Sequence, residues 1–359
     1  MKRGKNSAFT GLHLRKKAPT KITSTFRKNA RDAVQKTPDR SAVSALPSAK
    51  PAISATTAWN LSTILNATDL IYCIVLILPD LKNIGKLEPY KLKNMYTHLE
   101  IETHLEGKLQ IAYLNQPETY NSLNKTLLKE LRTFVHDSSK NPEVRCIAIS
   151  GRGKAFCSGQ NLKDALSYGD EGEERVIQRI VIDYYNPLVK EISKCRKPVV
   201  SLVNGPAVGA GAMLALICDI TLATESAYFS QAFVNIGLIP DTGGTYWLPK
   251  LLGRQQANYL AFTGKKIAAP EAKNMGLIAD VFEDANFTDQ SLEVLTTLSN
   301  LPTKAISLTK KAFNESYDNN LSQQLDLEGI LQQEAAETED FREGVAAFLE
   351  KRKPNYQGK

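Results

Sequence analysis

Histidine is scarce in this chain and poorly placed for chemistry. Its four copies, His13, His98, His104 and His136, all lie within the first 136 of 359 residues. A histidine base or a histidine-ligated metal is therefore not expected in the remaining two thirds. Cysteine is also sparse: Cys73, Cys146, Cys157, Cys195 and Cys218 form no C-x-x-C pair and have no histidine at metal-ligand spacing. They read as reduced thiols in a cytosol-like compartment rather than as a disulfide framework or a zinc site. Long apolar runs are missing too. The longest notable one, Leu70 to Leu78, has nine residues, whereas a bilayer span needs about 20. It also lies too far from the start to be the apolar segment of a signal peptide.

Acidic residues are nearly absent from the first fifty positions. Thirteen Lys and Arg stand there against Asp32 and Asp39 alone, a charge of +11, while the whole chain carries +7 and residues 51–359 therefore carry −4. The basicity belongs to a leader rich in Ser, Thr and Ala, without apolar periodicity, which is expected to be disordered. Without interleaved aromatics it is a poor single-strand nucleic-acid platform. Residues 1–94 thus read as a basic, low-order extension. The favoured reading is an over-extended reading frame with translation starting at Met95; an organelle transit peptide and a nucleic-acid-binding arm are the alternatives.

From Met95 onward, strand and helix patterns alternate. His98–His104 and Leu109–Leu114 read as a hairpin turning at Glu106-Gly107-Lys108. Asn121–Phe134 places Leu123, Leu127, Leu128 and Leu131 on one helical face. Arg145–Ser150 and Pro198–Val203 are short buried strands, Tyr184–Cys195 is helical, Met213–Cys218 lies in a helix, and Ile220–Ala223 returns as a strand. Strands alternating with helices at this spacing imply an α/β fold with parallel pairing. Beyond Gly253 the strand signals fade and helices dominate. The expected division is a core at 95–300 and a helical region at 301–359.

Two segments rich in small residues follow strands. The first is Ala155-Phe-Cys-Ser-Gly-Gln-Asn161; the second, Gly209-Ala-Gly-Ala212, opens a helix. Small residues let a ligand approach the main chain, and a helix start offers unpaired N–H donors with a favourable dipole. Two such donors converging on one oxygen make an oxyanion hole, which suits a thioester whose α-proton is removed as an enolate forms. Close helix–strand packing also demands small residues, and spacing alone leaves that alternative open.

At these residues the sequence resembles the crotonase (enoyl-CoA hydratase/isomerase) superfamily. Ala155–Asn161, Val203-Asn-Gly-Pro-Ala-Val-Gly-Ala-Gly211, Cys218-Asp-Ile-Thr-Leu-Ala223, Gly237-Leu-Ile-Pro-Asp-Thr-Gly-Gly244 and Glu343–Lys353 match its blocks in order and spacing. The resemblance covers nearly all of 95–359 and none of 1–94. It implies a stacked ββα spiral with a C-terminal helical trimerisation region, and a homotrimer or homohexamer. It further implies an oxyanion hole from the backbone N–H groups of Gln160 and Ala210. Acyl-CoA binding falls to Ala155, Ser158, Lys163 and, from a neighbouring subunit, Lys351.

The same alignment implies a departure from the hydratases, whose two water-activating glutamates fall on Met213 and Phe233. Both are pocket positions here, and neither side chain carries a proton. A dehalogenase-like arrangement is not expected either, since Trp59 and Trp247 lie elsewhere. Asp241 remains. The apolar approach Gly237–Pro240 should partly desolvate it and raise its pKa toward a general base's range; capping the helix that begins near Thr245 is the competing role. Tyr185-Asn-Pro-Leu-Val189, Ser230-Gln-Ala-Phe233 and Gln324-Leu-Asp-Leu-Glu328 are similar to the 1,2-epoxyphenylacetyl-CoA isomerase subgroup of phenylacetate degradation. The expectation is an acyl-CoA isomerase, epoxyphenylacetyl-CoA or Δ3,Δ2-enoyl-CoA. It should be cytoplasmic, with no metal or redox cofactor and coenzyme A only as part of the substrate. No membrane or nucleic-acid partner is expected. A hydratase of fatty-acid β-oxidation is the alternative enzyme, and a non-catalytic scaffold with a nucleic-acid-binding arm is the alternative of another class.

Overall fold

A computed structural model describes residues 96–166 and 176–359 of the protein. The readings made for residues 1–94 lie outside the described residues. In chain order the elements begin with β1 (Leu99–His104), β2 (Leu109–Leu114), α1 (Lys125–Lys140), β3 (Cys146–Gly151), α2 (Leu162–Leu166) and α3 (Val176–Ile180). A π-helical turn, Val181–Tyr185, joins α3 to α4 (Asn186–Lys194). There follow β4 (Val199–Val203), β5 (Ala207–Val208), α5 (Ala210–Leu216), β6 (Ile220–Thr224), β7 (Tyr228–Ser230), α6 (Gly244–Thr263) and β8 (Lys266–Ala268). The chain closes with α7 (Ala269–Asn274), β9 (Asp280–Phe282), α8 (Phe287–Asn300), α9 (Thr303–Glu315), α10 (Leu321–Ala336) and α11 (Glu339–Glu350).

The main sheet has six strands in the order β1-β2-β3-β4-β6-β9, and a three-stranded sheet has the order β5-β7-β8. Only β1–β2 and β7–β8 are antiparallel. All residues of β3 and β4 are buried, as expected of parallel strands covered on both faces. Alternation sorts their side chains. Ile147, Ile149, Val199 and Val203 join the larger core with α1, α4 and α5. Cys146, Ala148, Val200 and Leu202 join a smaller one closed by Phe287 and Leu295 of α8. Each fully buried Leu or Phe contributes about 1.5–3 kcal/mol.

Three expectations change. The first helix spans Lys125–Lys140, not 121–134, because Asn124 accepts from the N–H of Leu127 at 2.9 Å as its cap. Tyr120 and Asn121 are left-handed (φ 53° and 55°), which no helix accommodates. Leu123 is therefore not on that helix and bridges to Gln160 instead. The helix expected from Tyr184 begins as a π turn, where Asn186 N–H bonds to Val181 C=O. Pro187 has no N–H for the Asp183 carbonyl, and the chain widens there. Strands also continue past Gly253: β8 completes the small sheet and β9 closes the main one. Both have three residues and draw their pairing from neighbours distant in sequence. The C-terminal stretch after Asn300 is helical, as expected.

Candidate active site

Parallel strands β3 and β4 end together at Gly151 and Val203, so the loops that follow leave the same edge of the sheet. Asn121 staples the first loop from beneath. It is fully buried, its Nδ2 donates to the carbonyls of Arg152 at 2.9 Å and Ala155 at 2.8 Å, and its Oδ1 accepts from Gln116 N–H at 2.9 Å. The second loop then runs alongside the first. Cys157 N–H donates to Pro206 C=O at 3.1 Å, Val208 N–H donates to Cys157 C=O at 3.0 Å, and Cys157 pairs with Ala207 as a parallel bridge.

Gln160 and Ala210 each lie three residues past that bridge. The position a side chain at Gly159 would occupy is 3.6 Å from Ala210 N, so the two loops remain close at this level. The amide directions follow from peptide planarity. Gly159 C=O accepts from Leu123 N–H at 2.7 Å, so the N–H of Gln160 in the same trans peptide points the opposite way. Gly209 C=O accepts from Met213 N–H at 3.0 Å inside α5, so Ala210 N–H projects out of the helix start. Among the described residues neither amide has a protein acceptor. Close packing and amide presentation are therefore one construction. A Cβ on Gly211 would lie 2.4 Å from Cys157 O and 2.7 Å from its Sγ, so only glycine fits there.

Asp241 sits in the tight loop before α6. Gly243 (φ 79°) is the residue preceding the helix and no side chain caps it, so the capping role for Asp241 falls away. Its backbone carbonyl accepts from Gly244 N–H at 2.7 Å, and its Oδ1 accepts from the Thr242 hydroxyl at 2.8 Å. Burial pushes the Asp241 carboxyl above its ordinary range, and the Thr242 hydrogen bond partly opposes this. Met213 is fully buried under this loop. A Cβ on Gly244 would lie 2.7 Å from Pro240 Cβ and 3.3 Å from Met213 Cγ. Phe233 is buried as well. Both positions are thus apolar walls, leaving Asp241 as the ionisable group of the loop.

The remaining expected site residues are spread more widely. Ala155 is buried with its carbonyl taken by Asn121. Ser158 is exposed, its hydroxyl on Thr119 C=O at 3.1 Å. Lys163 is exposed on α2, close in sequence to Gln160, and Lys351 is the exposed, left-handed residue ending α11. Cys157 is unsuited to nucleophilic work, because burial pushes its thiol up to about 12. The three histidines among the described residues are engaged elsewhere: His98 with Asn124, His104 with Glu102 and His136 with Glu191. Among the described residues no group of three or more His, Cys, Asp or Glu could hold a metal ion. Nor, among them, is any helix long and apolar enough to cross a membrane.

Tyr185 stood out in the sequence only within the Tyr185–Val189 block, with no role of its own. Its ring is fully buried, its hydroxyl donates to Gln160 Oε1, and both burial and the nearby Asp241 charge push its pKa well above the ordinary 10. The available signal was Pro187, two residues later within a helical pattern.

The family model for enoyl-CoA hydratase/isomerase matches residues 106–359. The chain belongs to that family. Among its relatives, 1,2-epoxyphenylacetyl-CoA isomerase of Escherichia coli is 40% identical over 259 residues, covering 72% of this chain and 98% of the relative. A protein of Rhodobacter capsulatus named probable enoyl-CoA hydratase is 42% identical over 259 residues, again 72% and 98%. The crystal structure of an enoyl-CoA hydratase from Polaromonas sp. JS666 superposes with a TM-score of 0.67 at 32% identity, covering 71% of this chain and 99% of that one. An enoyl-CoA hydratase from Bacillus anthracis gives 0.68 at 29%, covering 73% and 100%. The crotonase fold expected from the loop motifs is the fold of the family members it matches. Hydratases and an isomerase both occur among these relatives, so membership alone does not choose the reaction.

Proposed function

We propose that the protein is an acyl-CoA isomerase. It would act on a 2-(1,2-epoxy-1,2-dihydrophenyl)acetyl-CoA-like substrate, on Δ3-enoyl-CoA, or on both. One observation carries this reading: Asp241 is the ionisable side chain of its loop, while the positions that the family resemblance matches to the hydratases' glutamates hold the buried apolar side chains of Met213 and Phe233. Water activation by paired acids has no carboxylates at those positions. A single carboxylate suffices for a proton shift.

For a 3-enoyl thioester, the Asp241 carboxylate takes a proton from C2. The C–H electron pair becomes the C1–C2 double bond of a dienolate as the carbonyl pair passes to the thioester oxygen, where the negative charge settles; the C2–C3 double bond forms when C4 is protonated. The amides of Gln160 and Ala210 hold that oxygen, each donor lowering the barrier by about 3 kcal/mol. Asp241, now a carboxylic acid, returns the proton to C4 and leaves the 2-enoyl thioester. A base with a raised pKa is well matched to both halves of this shuttle, being strong enough to take the proton and acidic enough to return it. Coenzyme A enters and leaves as part of the substrate. Lys163 and Lys351 are the proposed contacts for its phosphates, and a cytoplasmic setting suits the four buried free thiols among the described residues.

Second copies of the chain are the proposed partners of the C-terminal helices. Phe313, Leu321, Ile330, Phe348 and Leu349 are 65–83% exposed there. Two clefts of about 450 and 540 Å³ lie between those helices, away from Asp241. A homotrimer, or a hexamer of two trimers, would cover them.

Incubation with 3-enoyl-CoA, followed by the absorbance of the conjugated product, tests the reading. Wild-type protein should turn over, and Asp241→Asn should lose at least 10³-fold (about 4 kcal/mol). Equal turnover by the variant would end the proposal. The relative named a hydratase supports a second reading, water addition to a 2-enoyl-CoA; crotonyl-CoA hydration at a rate rivalling isomerisation would favour it.

A further inference from the structure

Tyr185 is a buried phenol that the proton shuttle does not use. Its hydroxyl donates to Gln160 Oε1, and the Gln160 side chain in turn donates from Nε2 to Asn161 C=O at 3.0 Å. Asn161 N–H is held by Leu123 C=O at 2.8 Å and Gly159 C=O by Leu123 N–H at 2.7 Å. The peptide bearing the Gln160 N–H is thus fixed by main-chain bonds on both sides, and its side chain is tied back to the same loop. Among the described residues the phenol reaches this hydrogen-bonded network from a helix, through the π turn that Pro187 permits. A phenol also brings little rotational freedom of its own, so it locks the carboxamide in one orientation.

We infer that Tyr185 is a positioning residue for the oxyanion hole: through the Gln160 carboxamide it holds the Gln160 amide at the angle a forming enolate needs. The inference rests on the proposed oxyanion role of Gln160 and Ala210, but not on Asp241 or on the identity of the acyl group. Aiming of a preformed donor is where electrostatic catalysis is most sensitive to small displacements.

The test uses the full-length protein with Tyr185→Phe, Gln160→Ala and the double variant. Gln160→Ala keeps the backbone N–H and removes only the carboxamide. Tyr185→Phe should lower kcat for 3-enoyl-CoA isomerisation about tenfold, the effect of one lost hydrogen bond, with KM within about twofold. The double variant should be no slower than Gln160→Ala, because both changes cut the same link. Multiplying losses, or wild-type kcat in Tyr185→Phe with an unchanged melting temperature, would overturn the inference. The acid limb of the pH–rate profile should stay where it is in wild type; a displaced limb would assign Tyr185 to Asp241 instead and also overturn it.

A second readout needs no turnover. Acetoacetyl-CoA ionises to an enolate with its own near-ultraviolet band, and bound enolate measures the strength of the oxyanion site directly. Wild type and Asp241→Asn should both show the band, and Tyr185→Phe should need higher pH to reach the same intensity. If isomerisation fails in wild type while this shift appears, the isomerase reading falls and the inference stands. Absence of the band in wild type overturns the inference itself.

Discussion

Gly211→Ala isolates the contact between the two amide-bearing loops. A Cβ at 211 would sit 2.4 Å from Cys157 O, 2.7 Å from Cys157 Sγ and 2.8 Å from Cys157 C, whereas ordinary contact begins near 3.4 Å. The loops must separate by about 1 Å, and the obstacle is backbone, which cannot rotate away as a flexible side chain would. Cys157 is bonded on both sides to the 206–208 segment, so the displacement passes directly into the spacing of Gln160 and Ala210. A misplacement of that size costs on the order of 10²-fold in rate, and overpacking costs about 1–3 kcal/mol of stability. The assays are 3-enoyl-CoA isomerisation for the rate and urea unfolding for stability. A folded variant with near-wild-type turnover and an undiminished acetoacetyl-CoA enolate band would refute the view that these loops set the oxyanion geometry.

Other consequences are equally open to measurement. Thr242→Val removes the hydroxyl that favours the ionised Asp241; its pKa then rises further, so the acid limb of kcat/KM should move to higher pH, and a limb moving lower would contradict the assignment. Asp340 is buried and accepts from Gln357 N–H at 2.6 Å and Gly358 N–H at 2.8 Å, binding the C-terminal tail beside Arg145. Asp340→Ala should lower unfolding free energy by about 3 kcal/mol or more, since each of the two charge-assisted bonds contributes roughly 1.5–3 kcal/mol; no change in urea midpoint would rule that out. Phe348→Glu, at an 83% exposed position in the C-terminal cleft, should reduce the mass seen by light scattering to that of a single chain if copies assemble there.

Legibility in the sequence tracked distance along the chain. The β1–β2 hairpin was readable because its alternation and its glycine turn are local, and the structure pairs Leu99 with Leu114 as that turn requires. The two small-residue loops were readable for a related reason: glycine at 211 is demanded by backbone contact, so the contact leaves its mark in residue type. Asp241 stood out because an apolar approach precedes it. The start of α1 was misread because Leu123 carries the right apolarity for a helix face, yet is drawn instead into a bridge with Gln160. Strand β9 was missed because three half-buried residues, one of them Asp280, carry no alternation worth detecting.

The sequence by itself determined the α/β class, the two amide loops and the lone acid candidate, since each depends on short-range periodicity or on the space a side chain needs. Tertiary structure decided what those parts do together. It set the parallel bridge of Cys157 with Ala207 that runs the two loops side by side, the loss of a capping role for Asp241, and the arrival of the Tyr185 hydroxyl at Gln160 from the π turn. The physical reason is that a main-chain hydrogen bond or a buried phenol takes its meaning from a partner remote in sequence, and no local pattern encodes which partner that will be.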